Sequence, residues 1–272
     1  MVRFVSGFVM AFAFAAAAQA DRVPSHCIAV AQSTPGIQYA AVGGLPDLTV
    51  DDVRLHYVAH STYLLETAGG LKIATDFTGF VGRGILPDVV TMNRAHASHY
   101  TDHPDPAIPH VLRGWGDGSG PAVHYLDLDE ILVRNVTTDI RSGYDGRIAD
   151  GNSIFVFEVG GLCIGHLGHL HHEPSEQQYA MIGRLDVVMA PVDGGMTIPT
   201  PLMVKVLKRL RSSLVLPMHW FGDGTLRAFV AGMQDEFEIE WTDSAHTTVS
   251  MRSLPRRPTV RILRPRYIPE IE

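Results

Sequence analysis

"HSTYLLETAGGLKIATDF" occupies residues 60–77, and "NSIFVFEVGGLCIGHLG" occupies 152–168. Each passes from a polar start through an apolar run to a glutamate, a Gly-Gly pair, a leucine and a second apolar run. Glu66 matches Glu158, and Gly69-Gly70-Leu71 matches Gly160-Gly161-Leu162 with a shift of one residue between the two landmarks. A Gly-Gly pair between two strand-like runs is a hairpin signal. Downstream of each hairpin the chain repeats itself again, with "LPDVVTM" at 86–92 and "RLDVVMA" at 184–190. Asp-Val-Val runs that are apolar on both faces are expected inside a sheet covered on both sides. The duplication therefore predicts two similar halves packed into one layered α/β domain.

Helical signals fall between these strands. Ser175 with Gln178 forms a capping-box pattern opening a helix through Met181. Thr200-Pro201 opens another, with Leu202, Met203, Val206, Leu207 and Leu210 on its apolar face. "LVLP" (214–217) reads as a short strand running into Met218-His219, and "LPRRPTVRILRPR" (254–266) as a strand despite its basic residues.

The chain has 272 residues, 46% of them hydrophobic, enough for a buried core. Residues 1–20, with Arg3, an Ala/Phe-rich run and Ala18-Gln19-Ala20, read as a signal peptide; the competing reading is a membrane anchor, for which the run is short. A periplasmic or secreted protein starting near Asp21 is expected, with no stable membrane insertion after cleavage. Residues 21–47 form an N-terminal lead-in, and 48–272 the layered domain. Cys27 and Cys163 either pair in an oxidising compartment or leave Cys163 as a buried thiol. The formal charge of −7, with no basic cluster, argues against nucleic acid as the main partner. A small-molecule substrate fits better, and oligomeric state is not encoded in any recognisable signal.

The 14 histidines gather where strands end. His60 opens the first hairpin. His96, His99 and His103 follow the first Asp-Val-Val strand, His166, His169, His171 and His172 follow the second hairpin, and His219 follows "LVLP". Ligands of layered α/β folds collect at carboxyl ends of strands, and neutral imidazole binds borderline metals such as zinc. His60, His171 and His172 taken singly read as hydrogen-bonded structural residues, and His26, His110, His124 and His246 as surface residues. The set His96, His99, His169 and His219 reads as a metal site.

From "HSTYLLET…LKIATDF" through the His-rich loop and "HLG" to "LPMHW", the chain resembles the metallo-β-lactamase superfamily. It is most similar to the branch containing ascorbate-phosphate lactonases and N-acylphosphatidylethanolamine-type phospholipases D. The resemblance covers about Val53 to Trp220. It implies a four-layered αββα sandwich, one or two metal ions (zinc, sometimes manganese or iron) at one edge, and a metal-bound water or hydroxide as nucleophile.

The family's His-x-His-x-Asp-His signature falls on residues 94–99, so His96 and His99 are kept while Arg94 and Ser98 replace a histidine and the aspartate. A rival register would end the signature on Asp102-His103, which remain reserve candidates for catalysis and ligation. His169 stands where the family has its bridging aspartate, His219 matches the last ligand, and no histidine occurs between 137 and 146. A neutral imidazole cannot bridge two cations as a carboxylate does. The resemblance therefore implies one tetrahedral ion on His99, His169 and His219 with His96 nearby, most simply zinc. Three neutral ligands favour lowering a bound water's pKa toward ~7.

Asp76 and His166 are expected to support the ligands from behind, with His60 beside them. Asp193 in "PVDGG" is a candidate ligand, proton acceptor or turn residue. Arg94 and Arg141, at positions of missing histidines, are candidates to clamp a substrate carboxylate or phosphate. The expected function is hydrolysis of an ester, lactone, amide or phosphodiester bond. The alternative is a non-catalytic metal- or ligand-binding protein on the same fold.

Overall fold

The structure is a computed structural model that describes residues 23–28, 48–94, 96–143 and 146–268. The expected signal peptide, and residues 29–47 of the lead-in, lie outside the described residues.

The first half runs β1 Val53–Ala59, β2 Thr62–Thr67, β3 Lys72–Ala74, β4 Val89–Met92 and β5 His110–Arg113. The second runs β6 Tyr125–Asp127, β7 Ile131–Arg141, β8 Arg147–Val159, β9 Leu162–His166, α1 Glu176–Ile182, β10 Val187–Pro191, α2 Thr200–Leu210 and β11 Leu214–Met218. The chain ends with α3 Asp223–Met233, β12 Glu238–Trp241, β13 His246–Val249 and β14 Thr259–Ile262. These strands form a six-stranded sheet, β13-β1-β2-β3-β4-β5, and an eight-stranded sheet, β12-β14-β11-β10-β9-β8-β7-β6.

The duplication seen in the sequence is structural. Ile73 pairs with Val89 across parallel β3 and β4, as Ile164 pairs with Val187 across parallel β9 and β10. The aspartate opening each Asp-Val-Val run has a mechanical task. Asp88 Oδ2 accepts the Lys72 N–H and Asp186 Oδ2 accepts the Cys163 N–H, each at 2.8 Å, and so ties the second hairpin strand to the next parallel strand.

Alternation along the strands builds three apolar layers. Val53, Leu55, Tyr57, Tyr63, Leu65, Ile73 and Val89 from one sheet face Phe155, Phe157, Leu162, Ile164, Met189, Leu214 and Leu216 from the other. The opposite face of the larger sheet, with Ile154, Val156, Val188 and Val215, is covered by helices. Helix α1 has the anticipated capping box, with Ser175 Oγ accepting the Gln178 N–H and Gln178 Oε1 accepting the Ser175 N–H. Helix α2 buries Met203, Val206 and Leu207, while Leu202, expected on the same face, is exposed. Helix α3, which the sequence pattern did not reveal, buries Leu226, Phe229 and Met233.

The fold is the expected α/β sandwich of two similar halves, with one difference in its outer layers. All three helices among the described residues cover the larger sheet. The outer face of the smaller sheet, with Val58, Leu64, Val90 and Met92, is covered by loop residues Phe77, Val81 and Ile108, with Tyr100 and Trp115 packed beside them.

Cys27 and Cys163 form a disulfide that holds segment 23–28 against β9. The buried carboxylate of Glu158 reinforces it, taking hydrogen bonds from Ser25 Oγ (2.5 Å), the His26 N–H (2.9 Å) and Arg134 Nε (2.7 Å). No described helix is long and apolar enough to cross a membrane.

Candidate metal centre

Strand ends from both sheets deliver polar residues to one cluster. The β1–β2 turn brings His60, β3 leads to Asp76, β4 to His96 and His99, β9 to His169, β10 to Asp193 and β11 to His219. Three of these residues, His60 (φ 43°), Asp76 (φ 42°) and His219 (φ 57°), have left-handed backbone, a conformation costly for a side-chain-bearing residue and concentrated at functional sites.

The imidazoles converge. One ligand nitrogen from each of His60, His96, His99 and His219 lies within 4.8 Å of the others. His99 Nε2 and His219 Nε2 are 3.1 Å apart, and His96 Nε2 and His169 Nε2 are 3.0 Å apart. The His169 ring centroid is 4.7 Å from that of His99 and 4.9 Å from that of His219. His60 stacks at 3.9 Å from His219, and its Nε2 is buried with no hydrogen-bond partner.

Carboxylates stand behind two of these rings. Asp76 Oδ2 is 2.5 Å from His99 Nδ1, with both side chains fully buried. Asp193 Oδ2 is 3.0 Å from His219 Nδ1, an ion-pair distance that falls short of hydrogen-bond alignment. Each carboxylate favours the tautomer with the proton on Nδ1, which leaves an Nε2 lone pair pointing into the cluster. Two such lone pairs at 3.1 Å repel unless a proton or a cation lies between them. The donor set therefore fits a borderline divalent metal.

Burial pushes both Asp76 and Asp193 toward the neutral acid, but their donors prevail and hold them below the usual carboxylate range. For Asp76 these are His99, His166 and Asn93; for Asp193, His219, Thr197 and the 195–197 backbone. Burial, followed by the neighbouring imidazoles, pushes His60 down to about 3 and His96 down to about 4. Burial pushes His169 well below its ordinary value too. The cluster thus favours neutral rings, the form that ligates metals.

The anticipated residues sort clearly. His96, His99, His169 and His219 come together, and His60, expected beside them as support, joins the donor group itself. His166 lies behind the site: its Nε2 contacts the Ser61 carbonyl at 2.8 Å while its Nδ1 accepts the Gly168 N–H, which pins the two halves together. Asp193 is a support, its Oδ1 accepting the N–H groups of Gly195, Met196 and Thr197. Asp102 and His103, the reserve ligands, are both exposed and outside the donor group. Arg141, expected as a substrate clamp, instead directs Nη2 at the carbonyls of Gly195, Met196 and Thr197, tying the end of β7 to the Asp193 loop. Arg94 is exposed and lines an open cavity of about 460 Å³ with Tyr100, Asp102, Trp115 and residues 116–118.

Two asparagines were missed. Asn93 Nδ2 donates to Asp76 Oδ1 (2.8 Å) and its Oδ1 accepts the Ser153 N–H (2.7 Å), joining the halves beneath the site. Asn152 Oδ1 accepts the His169 N–H (2.7 Å). Asn93 directly follows β4 and Asn152 lies within β8, both buried, where an amide has few reasons to be except to satisfy other polar groups.

Two sheets packed face to face with imidazoles converging at one edge define the metallo-β-lactamase fold. The chain belongs to that superfamily: the family described as "Beta-lactamase superfamily domain" matches residues 54–219. A metal-dependent hydrolase of Thermoplasma volcanium is 22% identical over 196 residues, covering 62% of this chain and 84% of its own length. A candidate Zn-dependent hydrolase of the metallo-β-lactamase superfamily from Thermotoga maritima superposes with a TM-score of 0.53 at 24% identity, covering 78% of this chain and 98% of that one. A metallo hydrolase from Ignicoccus hospitalis gives 0.52 at 17% identity, over 79% and 96%.

Proposed function

We propose that this chain is a metal-dependent hydrolase acting on an ester, lactone, amide or phosphodiester bond of a small molecule, with one zinc ion per chain. The observation that carries this reading is the pair of Nε2 atoms on His99 and His219, 3.1 Å apart and backed by Asp76 and Asp193. His60 and His96 complete the donor group. A bound divalent cation supplies Lewis acidity and activates water. A single ion is favoured because the described donor group holds imidazoles alone, and its two nearest carboxylates are both turned to the Nδ1 side.

The protein's own residues orient and select. Asp76 and Asp193 fix ring orientation, and Asn93 and the 195–197 backbone hold those carboxylates in turn. An open cavity lined by Arg94, Tyr100 and Trp115 offers a guanidinium to an anionic group and two rings as an apolar wall. The periplasmic or secreted location also stands as a proposal, supported by the Cys27–Cys163 pair.

The test is metal analysis of the purified chain beside a panel of chromogenic ester, lactone, amide and phosphodiester substrates, with His99→Ala as control. About one ion per chain and hydrolysis lost in the variant are expected. No bound metal, or full activity in His99→Ala, would overturn the reading. Cell fractionation checks the location.

A further inference from the structure

The proton positions in the histidine cluster are set from its far end. The Arg141 backbone N–H, a donor whose hydrogen cannot move, points at His171 Nδ1 over 2.6 Å. His171 must therefore accept at Nδ1, so as a neutral ring it carries its proton on Nε2. That nitrogen lies 2.6 Å from His169 Nδ1, and the N–H donates to it. His169, accepting at Nδ1, holds its own proton on Nε2, the atom that faces the cluster at 3.0 Å from His96 Nε2. His96 in turn accepts at Nε2 and carries its proton on Nδ1, 2.7 Å from Ser98 Oγ. The polarity of the whole chain follows from one main-chain hydrogen.

This order is incompatible with ligation through His169 Nε2. A ligand nitrogen must be bare, which would move the His169 proton to Nδ1. Two N–H groups would then meet head to head across the 2.6 Å gap to His171, with no acceptor between them. The other rings face no such conflict. His99 and His219 have their Nδ1 atoms beside carboxylates, His96 has Nδ1 beside a hydroxyl, and His60 Nε2 is unpartnered. Those four are the residues whose ligand atoms lie within 4.8 Å of one another.

We propose that His169 is not a metal ligand but a hydrogen-bond donor, its proton kept on Nε2 by the Arg141–His171 relay and offered to the carbonyl or phosphoryl oxygen of the substrate. This assignment rests on the hydrolase reading for its substrate, and on geometry alone for its proton. With His96, His99, His219 and His60 as the group that would hold a cation, His169 would stand beside it with its proton still on Nε2. A fixed N–H aimed at an oxygen that gains negative charge stabilises the transition state more than the ground state. The ring is held for this task, being buried, with its main-chain N–H on Asn152. His171 is a positioning residue, acting through His169.

The decisive measurement is ¹⁵N-resolved NMR of the imidazoles in metal-free wild-type protein, repeated after addition of zinc. A proton on Nε2 of His169 in both states is expected; a proton on Nδ1 in either state overturns the assignment. Equilibrium dialysis with zinc supplies the second readout. His169→Ala should keep wild-type stoichiometry with affinity within a few-fold, whereas His60→Ala should weaken binding at least about tenfold. The reverse ranking overturns it. His171→Gln retains an acceptor for Arg141 and a donor for His169, so the His169 tautomer should persist in it and be lost in His171→Leu. On whichever substrate the panel identifies, His169→Ala should lower kcat by about 10²–10³-fold with KM little changed. A silent panel would sink the hydrolase reading while the NMR and dialysis results still decide the proton and the ligand set.

Discussion

Asn93 Nδ2 donates to Asp76 Oδ1 at 2.8 Å, so the amide at the end of one strand fixes the carboxylate at the end of another, and the carboxylate's second oxygen fixes His99. The Asn93 carbonyl oxygen meanwhile accepts from Ser153 in the second half. One side chain thus links ligand orientation to the packing of the two halves. Asn93→Ala should weaken zinc binding about 10–100-fold, the usual effect of removing a partner that orients a ligand, and should destabilise the fold by about 1–3 kcal/mol through the unsatisfied Ser153 N–H. Chelator competition and urea unfolding measure the two effects. Unaltered zinc affinity would show that Asp76 holds its place without the amide.

The apoprotein should lose stability as pH falls. Burial, followed by nearby charges, places His60 at about 3 and His96 and His171 at about 4 in the folded chain. In the unfolded chain they return to about 6.5. Between those values the unfolded state binds more protons, so stability is full above about pH 6.5 and declines as pH drops toward 4. Thermal melts of the metal-free protein at pH 7.5, 6 and 5 test this, and a flat profile would contradict it. Replacing His60 with Asn should flatten the slope.

The disulfide closes a sequence separation of 136 residues. Cys27→Ser with Cys163→Ser should lower unfolding free energy by about 2–5 kcal/mol, read from urea midpoints. Wild-type protein in reductant should match the double variant. If the two differ widely, the cysteines have a second role.

Zinc should raise the thermal midpoint. When free zinc stands at a hundred times its dissociation constant, the native state gains about 2.7 kcal/mol. Chelation should reverse the rise, and His99→Ala should abolish it. An equal rise in His99→Ala would locate the metal elsewhere.

The duplication was legible because two hairpins and two Asp-Val-Val runs repeat a spacing that only paired strands make sense of, and both runs proved to be parallel strands in equivalent pairings. The imidazole cluster was legible because histidine is rare in strand interiors and recurs here at strand ends. His60 was undervalued since a lone histidine before a hairpin has no spacing partner; its place in the donor group depends on a tertiary contact with His219. Asn93 stood inside the His-rich loop yet drew no notice, because an amide has no chemistry of its own to advertise. Among the described residues the smaller sheet is covered by Phe77, Val81 and Ile108, which reach it from loops without any 3.6-residue period. Arg141 is ambiguous in sequence for a related reason: a guanidinium is equally suited to substrate anions and to backbone carbonyls, and here the 195–197 turn takes its Nη2.

The left-handed backbone at His60, Asp76 and His219 limits what evolution can place there. Asn, Asp and His are the side chains enriched in that conformation, apart from glycine, and β-branched residues are nearly barred. Drift at these three positions is therefore channelled among a handful of residues, most of which still carry a nitrogen or oxygen donor. The shape of the main chain thus acts as a filter that favours, at three corners of the site, side chains able to hold a proton or a cation.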